Sequence, residues 1–194
     1  MAKIRSLCVY CGASSRVAQV HRDAAARLGQ LLAEAGIRLV FGGGRVGLMG
    51  IIADAAIQAG GEVVGIIPDH LVRLEVGHGS ATELIQVRTM HERKQKMADL
   101  SDGFAVLPGG LGTLDETFEI ITWKQLRLHD KPIVLVDVAG YWKPLVGLIE
   151  HMIKDGFVQP AHRRLFGVVP KVEDVIPALE AMPAPAFSPD VKWA

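Results

Sequence analysis

The sequence has no long apolar run, few aromatic residues and no excess of charge of either sign. Of its 194 residues 6% are aromatic, and 21 Lys and Arg balance 21 Asp and Glu. No apolar run approaches the roughly 18 residues that a membrane span needs, which excludes that class of protein. A chain without net charge has no global field to attract nucleic acid or an anionic membrane, so any anion must be bound locally. Because the first residues lead into a strand-like segment without a signal-peptide apolar region, we expect a cytoplasmic protein.

Cysteine is scarce as well: Cys8 and Cys11 form a single C-x-x-C pattern. A structural zinc site needs four ligands, and no second C-x-x-C or spaced pair of histidines completes one, so we predict no metal. A thioredoxin-like redox pair stays open, although this pattern lies along a strand and its end instead of opening a helix. The alternative is two small core residues.

Short β-rich apolar runs alternate with amphipathic stretches along most of the chain, and 49% of the residues are hydrophobic. This pattern predicts one α/β domain, residues 1–182, with a doubly wound, mostly parallel sheet and helices on both faces. The predicted strands are 7–10, 38–41, 63–67, 83–87, 103–107, 133–136 and 165–169, and the predicted helices are 18–35, 47–59, 89–100, 114–128, 142–155 and 172–182. We predict a surface loop beside the site at 69–82 and an extended Pro-rich tail at 183–194.

Three predicted strands end in glycine-rich loops, at residues 11–15, 42–50 and 108–113. In a parallel sheet these loops meet at one edge, where helix N-termini present free N–H groups to a phosphate. The loops therefore predict a nucleotide or sugar-phosphate site, with Gly43 and Gly44 among its contacts. Two alternatives for the second loop are a tight turn and a dinucleotide fingerprint, G-x-G-x-x-G, but Asp69 is poorly placed to bind the ribose of a dinucleotide.

The predicted helix at 89–100 carries a cation on its apolar side. Met90, Met97 and Leu100 define the inward stripe at 100° per residue, with Arg93 near its middle and Lys94 at its edge. A buried guanidinium requires an anion, either a carboxylate or a phosphate. A structural ion pair or a snorkelling side chain is the alternative.

Residues 108–116, PGGLGTLDE, place an acid close to the third glycine-rich loop. Thr113 and Glu116 have the spacing of a capping box, which would explain both residues by helix stability alone. It would not explain the proline and three glycines before them. The helix that follows has two apolar faces, so we expect the sheet to cover one and a homodimer partner to cover the other.

Two of these motifs occur together in a known family. Residues 108–116 match P-G-G-x-G-T-x-x-E, and residues 90–94, MHERK, match M-H-x-R-K. The chain thereby resembles the LONELY GUY (LOG) family of cytokinin riboside 5′-monophosphate phosphoribohydrolases, from about Ile4 to Leu179. The label "lysine decarboxylase" is also used for such proteins, but the sequence offers no recognisable context for a pyridoxal-phosphate lysine.

The resemblance implies a Rossmann-like homodimer that hydrolyses the N-glycosidic bond of a nucleoside 5′-monophosphate without a cofactor. It implies Arg93 and Glu116 as the catalytic residues. The implied substrate contacts are Arg93, Lys94, Gly109, Gly110, Leu111, Gly112, Thr113, Leu114, Asp115 and Thr122, together with Glu75 in a loop that departs from the common family pattern. Two alternatives are a nucleosidase for AMP or another purine nucleotide, and a nucleotide-binding module of the same fold without catalysis.

Overall fold

In the part of the chain that the structure describes, seven strands form one parallel sheet. The computed structural model describes residues 3–72 and 77–183. The strands are β1 (Ser6–Tyr10), β2 (Arg38–Phe41), β3 (Val63–Pro68), β4 (Glu83–Val87), β5 (Gly103–Val106), β6 (Ile133–Val136) and β7 (Gly167–Val169). Their order is β4-β3-β2-β1-β5-β6-β7, and every neighbouring pair is parallel. The chain moves outward from β1 in one direction and then, from β5, in the other, so the topological switch point lies between β1 and β5.

Helices cover both faces of the sheet, which confirms the doubly wound α/β prediction. They are α1 (Gln19–Glu34), α2 (Leu48–Gln58), α3 (Asp69–Val72), α4 (Met90–Asp99), α5 (Leu111–Gln125), α6 (Lys143–Lys154) and α7 (Val175–Ala181). Apolar side chains of α1, α2 and α7 pack in the core on one face, and those of α4, α5 and α6 pack on the other. Nowhere in residues 3–72 and 77–183 is a helix both long and apolar enough to span a bilayer.

Many element ends shift by one residue from the prediction, and larger differences include the start of α7 at Val175, because residues 172–174 form a 3₁₀ turn. Helix α5 begins three residues earlier than predicted, because the turn at Gly109 and Gly110 starts it: the Leu114 N–H bonds to the Gly110 carbonyl. The predicted loop at 69–82 contains the short α3. The last strand is shorter, because residues 160–165 form a 3₁₀ turn. Residues 184–194 of the predicted tail lie outside the described part of the chain.

The two cysteines lie on opposite faces of the sheet. Cys8 packs in one core and Cys11 in the other, and both thiols are free. Burial raises the pKa of each thiol well above its usual value. The thioredoxin-like redox pair is therefore wrong, because the sheet separates the two sulfurs and burial disfavours the reactive thiolate.

A lysine is buried at the carboxyl end of α5. Lys124 is 1% exposed, and its Nζ lies 3.7 Å from the sulfur of Met182. Burial lowers the pKa of this amine to about 8, although the negative charge of Asp130 raises it. The folded chain thus holds a charge in an apolar environment at neutral pH, which destabilises it.

We predict that Lys124→Met is more stable than the wild type at pH 7, by about 1–3 kcal/mol. Between pH 8 and about 10.4 the unfolded lysine keeps a proton that the folded one has lost, so the wild-type free energy of unfolding rises with pH. The advantage of the variant should shrink over that range. Urea unfolding at several pH values measures it, with Lys96→Met, at an exposed position of α4, as the control. A constant difference between variant and wild type from pH 7 to 10 would contradict the prediction.

Candidate active site

A cavity of about 640 Å³ lies at the carboxyl ends of the central strands. Its walls come from the three glycine-rich loops that follow β1, β2 and β5, as predicted for this edge of the sheet. A larger depression, of about 850 Å³, lies at the amino ends of the strands, lined in part by Lys3, Arg38 and Asp102. Helices end there instead of beginning, so that edge lacks the N-terminal N–H groups that bind anions. The smaller cavity is the better candidate for an active site.

Arg93 enters this cavity from α4, with only 7% of the residue exposed. Its Nε donates to the Ile66 carbonyl at 3.1 Å, and its Nη2 donates to the Gly42 carbonyl at 2.8 Å. The guanidinium is therefore fixed at the ends of β3 and β2. Position 42 needs glycine, since a Cβ there would overlap the guanidinium. The burial of Arg93 agrees with the prediction from helical periodicity. Met90, predicted on the same inward stripe, is 37% exposed because it lies in the first turn of α4.

Glu116 faces Arg93 from the second turn of α5. Its Oε1 lies 3.6 Å from Nη1 of Arg93, and 11% of its side chain is exposed. Burial raises the pKa of the Glu116 carboxyl to about 7, while the positive charge of Arg93 lowers it and the negative charge of Asp115 raises it. The two residues implied as catalytic thus come together, and the acid changes its charge near neutral pH.

The first turn of α5 presents its N–H groups beside this pair. Those of Leu111, Gly112 and Thr113 precede the first helical hydrogen bond, so they have no acceptor within the helix. Together with the positive end of the helix dipole, they form a site suited to a phosphate.

The capping-box alternative is wrong. The N-cap is Gly110, without a side-chain cap, and Thr113 is a buried residue within the helix whose carbonyl accepts a hydrogen bond from the Thr117 hydroxyl at 2.6 Å. Glu116 extends toward Arg93. Helix capping therefore does not account for the acid at position 116.

Lys94 does not line the cavity. Its Nζ lies 3.0 Å from Asp115 Oδ2 and 3.1 Å from Glu119 Oε1, and these ion pairs join α4 to α5. Its side chain is largely buried by this contact. Direct contact of Lys94 or Asp115 with substrate stays a prediction.

The remaining predicted contacts fall into two groups. Gly44, Gly109, Gly110, Gly112 and Thr113 line the cavity. Gly43 accepts a hydrogen bond from the His78 N–H at 2.8 Å and packs against β3. The others do not line the cavity: Leu111 is 86% exposed, Leu114 is half-buried and Thr122 is exposed. Glu75 lies outside the described residues.

Sequence reasoning missed two rings in the cavity wall, His21 on α1 and Tyr141 after β6. Tyr141 had a usable signal, because it follows the end of a predicted strand, next to Gly140. His21 had none, since it stands in an ordinary amphipathic helix. Within residues 3–72 and 77–183 no group of three or more His, Cys, Asp or Glu side chains could hold a metal ion.

Comparison with known proteins identifies the family of this chain. Residues 49–179 match the family model described as "Possible lysine decarboxylase". The chain is 43% identical to the cytokinin riboside 5′-monophosphate phosphoribohydrolase LOG5 of Arabidopsis thaliana over 180 residues, 93% of this chain and 79% of that protein. It is also 43% identical to the cytokinin riboside 5′-monophosphate phosphoribohydrolase of Rhodococcoides fascians, over 91% of this chain and 90% of that protein. The chain belongs to the LOG family.

Solved structures show the LOG-family fold more widely. The molybdenum cofactor carrier protein of Chlamydomonas reinhardtii superposes with a TM-score of 0.71 at 22% identity, over 93% of this chain and 98% of that one. The molybdenum cofactor binding protein of Rippkaea orientalis gives a TM-score of 0.70, also at 22% identity. At this identity the likeness establishes the fold alone.

The decarboxylase description of the family model does not fit the cavity of this LOG-family chain. Pyridoxal-phosphate chemistry needs a lysine that forms a Schiff base with the cofactor. No lysine of the described residues lines the cavity, and the nearby Lys94 is held by two carboxylates.

We predict that Gly42→Ala displaces the Arg93 guanidinium and destabilises the protein by about 1–3 kcal/mol, because the added methyl group overlaps a buried side chain. The matched control is Gly147→Ala on α6, where a Cβ meets open space. A helical alanine there should stabilise the protein by about 0.5–1 kcal/mol. Urea unfolding of both variants checks the prediction, and equal stability of Gly42→Ala and the wild type would contradict it.

Proposed function

We propose that this chain hydrolyses the N-glycosidic bond of a cytokinin nucleoside 5′-monophosphate, releasing the free base and ribose 5-phosphate. The observation that carries the proposal is the buried Arg93–Glu116 pair beside the open first turn of α5. Relatives that are 40–44% identical over most of the chain bear the name of this activity. The residue types fit the reaction, because it needs a phosphate site, an acid beside the sugar and a fixed cation.

In this mechanism the 5′-phosphate binds the N–H groups of Leu111, Gly112 and Thr113. Glu116 lies in the next turn, five residues after Leu111, so about 7–8 Å of helix separates the phosphate site from the carboxylate. That spacing suits a ribose 5-phosphate, with its anomeric carbon toward Glu116. Gly109 and Gly110 let the substrate approach the backbone closely.

Cleavage of the C1′–N bond builds positive charge on the ribose ring, and the electron pair of the bond leaves with the base. The ionised Glu116 carboxylate stabilises that charge and accepts a proton from the attacking water, whose oxygen bonds to C1′. The leaving base takes up a proton from solvent. A guanidinium is not a general acid at neutral pH, so the role of Arg93 is to hold Glu116 in place and to stabilise negative charge on the phosphate or the base.

We further propose that the enzyme acts in the cytoplasm as a homodimer through the outer face of α5. Leu126 and Leu128 at its carboxyl end are exposed, and Trp123 is half-buried.

The choice between AMP and a prenylated nucleotide depends on the base. Chromatography of the base released from AMP and from isopentenyladenosine monophosphate decides between the two substrates.

We predict that Glu116→Gln lowers turnover by about a hundredfold or more while nucleotide affinity is kept, because the amide can neither accept the proton nor stabilise the charged ribose. Arg93→Ala should impair both turnover and affinity. Release of base and calorimetric binding of the nucleotide measure the two effects. Glu150→Gln, at an exposed position of α6, is the control and should behave as the wild type. Full activity in Glu116→Gln would contradict the catalytic role.

The pH profile gives a second test, since the pKa of Glu116 is about 7 in the unliganded protein. Because the ionised form is required, kcat/KM should fall about tenfold for each pH unit below about 7. The substrate phosphate also titrates, near pH 6. The inhibition constant of ribose 5-phosphate, measured over the same pH range, corrects kcat/KM for the titration of the substrate phosphate. A kcat/KM that rises as the pH falls from 8 to 6 would show that the protonated acid is the active form and would contradict the mechanism.

A further inference from the structure

His21 stands in the first turn of α1 and forms part of the cavity wall together with Gly109 and Gly110. Its ring meets the ring of Tyr141 edge to face, with 5.7 Å between the centroids and 74° between the planes. The contact joins α1 to the turn after β6. The mechanism above gives neither ring a role.

The hydrogen bonding of the His21 imidazole is incomplete. Its Nδ1 is buried and has no hydrogen-bond partner. A buried N–H without an acceptor is rarer in proteins than an underused acceptor, so the proton of the neutral ring belongs on Nε2. Nε2 also has no hydrogen-bond partner among the described residues. Unlike Nδ1 it is not buried, and His21 lines the cavity. The ring therefore offers a donor at the cavity.

Tyr141 fixes this ring relative to the first turn of α5. Its hydroxyl donates to the Gly109 carbonyl at 2.7 Å, one residue before the N-cap of the helix. The turn that carries Tyr141 holds Ala139 at a φ of +55°, a conformation that L-residues other than Asn and Asp rarely adopt. Such a backbone persists only where the surrounding structure enforces it, and it is common at ligand sites.

We propose that Nε2 of His21 donates a hydrogen bond to the 5′-phosphate of the bound nucleotide, opposite the N–H groups of α5. This inference rests on the proposed function for the identity of the ligand. The donor is present in both the neutral and the charged ring, so the contact does not depend on protonation of the histidine. The His21–Tyr141 contact sets the position of the ring.

The test compares two substitutions. His21→Phe keeps a ring against Tyr141 and removes the donor, whereas His21→Gln loses the ring but keeps an N–H donor four bonds from Cα, as in Nε2 of histidine. In calorimetry, His21→Phe should bind ribose 5-phosphate at least about tenfold more weakly than the wild type does. This is the loss of affinity expected when a hydrogen bond to a charged group is removed. His21→Gln should bind more tightly than His21→Phe. Adenosine, which lacks the phosphate, should bind all three proteins equally.

A measurement on the wild type covers the case in which a variant does not fold. The ¹⁵N resonance of His21 Nε2 should shift on addition of ribose 5-phosphate and stay unchanged with adenosine. Unchanged affinity of His21→Phe for ribose 5-phosphate, or an Nε2 resonance that does not respond to it, would overturn the inference.

The same binding data separate this inference from the proposed function. If the wild type releases no base but binds ribose 5-phosphate in a His21-dependent way, the hydrolase proposal fails and the His21 contact stands. If the enzyme releases base and the affinity of His21→Phe is unchanged, the His21 contact fails and the hydrolase proposal stands.

Discussion

The active site depends on the fixation of one buried guanidinium by two strand-end carbonyls. Arg93 donates to the Gly42 and Ile66 carbonyls, which belong to the ends of neighbouring parallel strands. A charge with this little exposure would be destabilising without such partners. Because the sheet fixes both carbonyls, the guanidinium cannot move without disturbing the core, and Glu116 meets a cation at a defined position. The absence of a side chain at position 42 is the steric condition for the whole arrangement.

The early start of α5 separates charges that would otherwise repel one another. Had the helix begun at Leu114, a phosphate at its N-terminus would lie beside Asp115 and Glu116 together. The helix begins at Leu111 instead, so both acids follow the turn that we propose binds the phosphate. Lys94 pairs with Asp115 outside the cavity, and Glu116 faces Arg93 within it. Lys94 therefore supports the site by offsetting part of the negative charge of Asp115 and Glu119, whether or not the lysine contacts the substrate.

The sequence predicted the sheet better than the site, because the two rest on different kinds of information. The prediction for strand β2 matches its observed bounds, because its short apolar run lies between turn residues that limit where the strand can begin and end. The burial of Arg93 followed from helical periodicity. The start of α5 did not follow, because Thr113 and Glu116 satisfy a local capping pattern that the glycine turn before them overrides. The His21–Tyr141 wall could not be predicted, since its two rings meet only through the tertiary packing of distant segments.

The electrostatics of Glu116 explain how such a site would favour a transition state over its substrate. Burial disfavours the ionised carboxylate and Arg93 favours it, and the balance leaves the pKa at about 7. A neutral ribose does little to change this balance, and the phosphate of the substrate opposes ionisation. When the C1′–N bond breaks, the ribose becomes positive and the same carboxylate gains a partner of opposite charge. That stabilisation arises only as the charge develops, so it lowers the barrier instead of tightening the binding of the substrate.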